Sequence, residues 1–274
     1  MRESGYGDVS DSQQPLCDRE NPATMLLPSL RKSDVAADGL RRVLDSCFYL
    51  AMSLLVAAVV IFGFGHTIRA NLLAPDTPRP LILHIHAAVF SGWVMLFITQ
   101  SALVRVSKVA LHRRLGIFGA LLGGIIPVLG IATALVMHHW HDRPGNASHA
   151  ALSLPFNDML TFSIAFGLAI HWRRRPEFHR RLMLIATCCL TSAAFARFPE
   201  SMVPENAFYI CVDLLLVLGV LRDLVVNRRV HAIYRYGLPC MIASQALTQY
   251  LMLAAPSTWL AMTHRIMQWT AWLA

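Results

Sequence analysis

The chain alternates between long apolar runs and short polar, basic connections. Runs of about twenty apolar residues fit membrane-spanning helices, since the bilayer core offers backbone groups no water and demands that each span bond itself. Seven such runs stand out. They cover about 46 to 65, 81 to 104, 115 to 137, 154 to 172, 182 to 198, 207 to 225 and 237 to 255. The predicted fold is all-α, a polytopic transmembrane bundle occupying 41 to 255. Residues 1 to 40 hold many acidic, Ser, Gln and Pro positions without apolar period, which predicts a mobile cytoplasmic tail. From residue 256 the chain carries Trp259, Trp269 and Trp272, which predict a short interfacial helix, because indole joins an apolar body to one polar N–H.

Composition agrees with this pattern. Of 274 residues, 55% are hydrophobic and 15% charged, against nearer a quarter charged in an ordinary soluble domain. The net charge of +8 does not point to nucleic acid, because the basic residues lie between apolar runs rather than on one face. Their placement predicts topology instead. Seventeen Lys and Arg fall in one set of alternate connections, among them Arg41, Arg42, Arg105, Lys108, Arg173 to Arg175, Arg228 and Arg229. Five fall in the other set: Arg69, Arg79, Arg143, Arg197 and Arg265. Short basic loops resist translocation, so the first set is expected in the cytoplasm, with the N-terminus inside, the C-terminus outside and the protein in the plasma membrane.

A repeat supports the same alternation. His112-Arg113-Arg114-Leu115 precedes the third run, and His179-Arg180-Arg181-Leu182 precedes the fifth. The two predict hairpins of two helices repeated in one orientation, with the sixth and seventh runs as a degraded third copy. Positive charge at a helix N-terminus runs against the helix dipole, so these arginines need a partner, and anionic lipid headgroups at the cytoplasmic face are the first expectation. The alternative assigns His112 and His179 to ligation or proton transfer.

Ionisable groups inside apolar runs are costly and mark candidate function. In the second run His86, Phe90, Trp93, Phe97 and Gln100 form one helical stripe. With Asp158, Arg197 and Asp213, His86 falls in the outer half of the membrane on this topology. These residues and Trp93 make up a predicted outer polar site that binds or transports a small ligand or proton. A purely structural arrangement would instead pair Asp213 with Arg197. Histidine pairs on facing helices suit haem iron or a metal. The pairs the sequence allows are His86 with His138 or His139, and His112 with His171 or His179. A metal-dependent hydrolase is a weaker expectation, since the seventh run lacks HxxxH. The six cysteines show no CxxC spacing and read as small core residues.

Taken together, His84-Ile85-His86-Ala87, Trp93 and Gln100, both HRRL motifs, Pro155-Phe156-Asn157-Asp158 and Arg197 resemble uncharacterised bacterial multi-pass membrane families of unknown function. They are more loosely similar to cytochrome b561-type haem proteins. The resemblance covers about 80 to 200. The first implies a multi-helix fold of the cytoplasmic membrane, and the second implies haem b held by histidine pairs on neighbouring helices.

Overall fold

The computed structural model describes residues 22–73, 75, 77–141 and 149–273, with the side chains of 22–38, 40, 70, 71 and 273 left aside. Arg143 and the first 21 residues of the expected tail lie outside the described residues. The chain divides into two units, Met1–Arg42 and Val43–Ala274. In the first, the backbone is helical from Pro22 onward.

Among the described residues there are helices and no strands. Helix α1 (Pro22–Gly65) is followed by α2 (Leu81–Arg105), α3 (Val109–His141), α4 (Ser153–His171), α5 (Pro176–Cys189) and the single turn α6 (Ser192–Phe195). Then come α7 (Phe208–Asn227), α8 (Ala232–Leu253) and α9 (Ser257–Trp269). Among the described residues, four segments are long and apolar enough to cross a membrane: Arg41–Gly65, Leu81–Arg105, Val109–His141 and His149–His171. Counting α8 with α9, which bend 84° apart, makes five. Two expected spans differ. The fifth is α5, only 14 residues long, broken from α6 at Leu190 and Thr191. The sixth, α7, carries Asp213, Arg222 and Asp223.

Local chemistry sets the boundaries. Ser107 has φ 61°, which closes the tight turn between α2 and α3. Pro176 opens α5 in the first helical turn, where its missing N–H costs nothing, and Arg175 before it is extended. Arg228 ends α7 in the left-handed region at φ 54°. His231 then caps α8, its Nδ1 accepting from Ile233 N–H at 3.2 Å.

Helix α4 sits at the centre, packed on α3, α5 and α8, while α7 packs on α5, α6 and α8. Trp93 of α2 meets Phe162 and Phe166 of α4 edge-to-face, and those two rings stack on each other. The glycines of α3 meet different neighbours: Gly119 lies against Leu96 of α2, Gly123 against Phe166 and Gly130 against Met159 of α4, and Gly124 faces open space. Outside, Ile61, Met95, Ile117, Leu121, Val128, Leu160, Ile210 and Leu214 are exposed. That apolar exterior fits lipid and not water. A smaller apolar cluster joins Leu135, Ala150, Leu152, Trp259 and Met267. Trp259 is therefore a core residue, its indole N–H donating to Ala150 O at 3.1 Å, whereas Trp269 and Trp272 are exposed.

Candidate functional site: a carboxylate held by hydroxyls

Asp158 lies one turn into α4, on the side that faces the break between α5 and α6. That break has a local cause: Thr191 turns its hydroxyl back onto Cys188 O at 2.6 Å and competes with helix continuation. The turn brings Ser192 over α4, where its hydroxyl donates to Asp158 Oδ2 at 2.5 Å. From α7, Tyr209 donates its hydroxyl to Asp158 Oδ1 at 2.9 Å, and Asn157 donates to the same tyrosine oxygen at 3.4 Å. Ser192 and Tyr209 are buried. Three helices thus supply one carboxylate and its neutral donors. Among the described residues, no Lys, Arg or His forms an ion pair with Asp158.

The other members of the predicted outer site do not join it. Arg197 follows α6, donates to Ala193 O at 2.5 Å and stacks over the Phe64 ring at 4.5 Å. His86 stacks on Phe90 with ring centroids 4.0 Å apart, within electrostatic reach of Arg197 but not bonded to it. Asp213 faces Gln245 of α8, and its Oδ1 is buried without a protein partner. Trp93 is core, its indole N–H unpaired between aromatic rings. Among the described contacts no two of His86, Asp158, Arg197 and Asp213 are directly bonded, and Asp213 does not pair with Arg197. Arg197 lines a cleft of about 350 Å³ with Phe195, Glu200, Glu205 and Phe208.

The histidines assigned to haem also separate. His138 Nδ1 contacts Ala134 O at 2.9 Å and its ring lies 6.3 Å from that of His149, while His139 Nε2 meets the Thr270 hydroxyl at 3.2 Å. None of these contacts involves His86. His112 and His179, the two HRRL histidines, do come together, with ring centroids 6.4 Å apart. His179 Nδ1 lies 2.8 Å from Ala169 O. With its amide turned to satisfy its neighbours, Gln100 donates to His112 Nδ1 at 2.6 Å while its oxygen accepts from Gly116 N–H at 3.1 Å. A ring that accepts at Nδ1 keeps its proton on Nε2, and an N–H cannot ligate iron. In that tautomer His112 does not ligate iron through Nε2. No cluster of three or more His, Cys, Asp or Glu arranged for a metal ion exists among the described residues.

A second polar centre escaped the sequence reading altogether. At the basic end of the bundle Asp223, fully buried, accepts from Arg181 Nε at 2.8 Å and Nη2 at 2.5 Å, and from Arg222 at 2.8 Å. Asn227 and the His231 N–H complete its shell at 3.1 and 3.3 Å. Arg181 also pairs with Glu177 at 2.6 Å; Arg222 pairs with Asp45, and Arg180 bridges Glu177 and Asp45. Three arginines face three carboxylates. Burial pushes the Glu177 carboxyl up, but hydrogen bonds from Arg181 and Arg180 outweigh it and hold it below its usual range. Burial, and then the charge of Arg181, lower His231. The HRRL copies thus differ: Arg113 and Arg114 are exposed, whereas Arg180 and Arg181 find acids within the protein. The available signal was an Arg-Asp pair at the end of an apolar run, with Asp45 at the start of another.

No protein-family model, curated protein or solved structure matches the chain.

Proposed function

We propose that the chain is a multi-pass protein of the plasma membrane that binds and transports a proton at Asp158. Seven crossings follow if α5 with α6, α7 and α8 complete the set. The charges of α7 are compatible with a crossing because Arg222 and Asp223 pair inside the protein and not with lipid. The basic end faces the cytoplasm, by the seventeen-to-five division of Lys and Arg. The connections at 106 to 108, 172 to 175 and 228 to 231 then all lie on that side, as repeated hairpins require. Asp158 falls in the outer half.

The observation that carries this reading is the set of partners around Asp158. An ionised carboxylate in a low-dielectric site is strongly disfavoured unless a countercharge balances it. Here two hydroxyls and no cation meet the two oxygens, so a proton supplies the balance. Ser192 and Tyr209 stabilise the ionised form enough for the proton to leave, since hydroxyl donation favours a carboxylate. Difference infrared spectroscopy of purified protein tests this. A protonated-carboxyl C=O band that bleaches as pH rises, is absent in Asp158→Asn and titrates at higher pH in Tyr209→Phe supports the reading. A wild-type spectrum indistinguishable from that of Asp158→Asn at every pH overturns it.

A further inference from the structure

Several buried polar atoms stand in sequence between Asp158 and the Arg181–Asp223 network. On α7, Tyr209, Asp213, Leu216, Val220 and Asp223 recur at helical spacing and share one face. Tyr209 donates to Asp158 at one end of that stripe, and Asp223 binds Arg181 at the other. Asp213 lies one turn inward from Tyr209, with Oδ1 buried and unpaired. Further along, Gly219 has no side chain, and the Tyr234 hydroxyl of α8 rests directly against it. Tyr234 is 2% exposed and its hydroxyl has no protein partner. Thr187 of α5 is 1% exposed with its hydroxyl unpaired, and the Tyr49 hydroxyl near Arg180 and Arg222 is unpaired as well.

Buried polar atoms without partners are rare and normally hold water. Here they lie at successive levels along α7. By the helical rise, Tyr209 to Asp213 and Gly219 to Asp223 are each about 6 Å along α7, and Asp213 to Gly219 is about 9 Å. Gaps of that size are within the reach of a few waters. Apolar packing alone does not account for the line, because phenylalanine would fill the Tyr234 site without stranding a hydroxyl.

We infer that the α5–α7–α8 seam is a water-linked proton path joining Asp158 to the basic end of the bundle, with Tyr209, Asp213 and Tyr234 as relays. This rests on the reading of Asp158 as a proton site and extends it to a route. A proton leaving Asp158 reaches Asp213 through Tyr209 and water, each hydroxyl releasing one proton as it accepts another, so neither tyrosine acquires net charge. Asp213 alternates between carboxyl and carboxylate. Tyr234 and its waters pass the proton to the network, whose exposed members Glu177 and Asp45 exchange with solvent. Asp223 stays ionised between its arginines and orients the chain without carrying the proton.

The test uses the full chain in phosphatidylcholine and phosphatidylglycerol vesicles loaded with a pH-sensitive dye, with a potassium diffusion potential as driving force. Proton flux above protein-free vesicles is expected. Asp213→Asn and Tyr234→Phe should each lower it about ten-fold or more, a hydrogen bond's worth of barrier, and the lipid-facing Leu214→Ile should leave it unchanged. Tyr234→Phe removes a hydroxyl with no protein partner, so its thermal stability should match wild type, and its flux tests the path even if Asp213→Asn fails to fold. Wild-type flux in Tyr234→Phe, or flux requiring sodium, overturns the inference. No flux in wild type while the Asp158 band still titrates overturns the path and leaves the proton site standing. A missing band removes both.

Discussion

Asp223→Asn is the sharpest probe of the buried network. The side chain is fully buried and accepts five hydrogen bonds, three of them from guanidinium groups. Asparagine keeps the shape but turns one acceptor into a donor facing other donors, and it removes the carboxylate between Arg181 and Arg222. Breaking a buried pair by deleting one partner costs about 3–5 kcal/mol. Arg181 keeps Glu177 and Arg222 keeps Asp45, so the lower end, about 3 kcal/mol, applies. For a unit of this size that lowers the melting temperature by roughly 6–12 °C. Cys188 and Cys189 are buried, so a thiol-reactive fluorophore added during a thermal ramp in detergent reports their exposure. Glu177→Gln, at a largely exposed position, should shift the midpoint by only a degree or two, because solvent screens exposed pairs. An Asp223→Asn variant that melts within a degree of wild type, or a Glu177→Gln variant that costs as much, refutes a stabilising role for the buried network.

Gly63 and Gly124 should respond oppositely to a side chain. A Cβ at Gly63 would run into the backbone of Ala194, which cannot move aside, so Gly63→Val should destabilise by about 2 kcal/mol or more in the same melt. Gly124 meets nothing, and Gly124→Ala should be neutral or stabilising by up to about 1 kcal/mol. Acid should loosen the basic end. Glu177 and His231 are both held below their ordinary values in the folded protein, so their contribution is present above the unfolded values and is lost as pH falls. The loss begins below about 6.5 for His231 and below about 4.3 for Glu177, and a midpoint that rises on acidification contradicts this sign. Purified protein is expected to lack a Soret band; a band abolished by His112→Ala or His179→Ala would show that Gln100 does not fix the tautomer of His112.

Much of the helix pattern is legible without coordinates, because lipid imposes a simple rule on each apolar run. Four crossing-length helices lie at the first four predicted runs. Stripes are legible too: Trp93 and Phe97 are buried on the face that also carries His86 and Gln100. Pairings are less accessible. Asp158 looks like one of several outer charges, and nothing in the linear order signals that the Ser192 hydroxyl, 34 residues later, would fold over it. That contact depends on Thr191 ending α5 early, a competition between side chain and backbone that the hydropathy of 182 to 198 hides.

The sequence alone determined that the chain is helical, apolar on the outside and asymmetric in charge between its ends. Each of these properties is local or additive, set by hydropathy, periodicity and counting. Tertiary structure decided which polar groups meet. It sent Arg180 and Arg181 to Glu177, Asp45 and Asp223, left Arg113 and Arg114 exposed, and gave Asp158 hydroxyls in place of a cation. The physical reason is that electrostatic partnership falls steeply with distance and burial, and both are fixed by packing between helices that are remote in sequence.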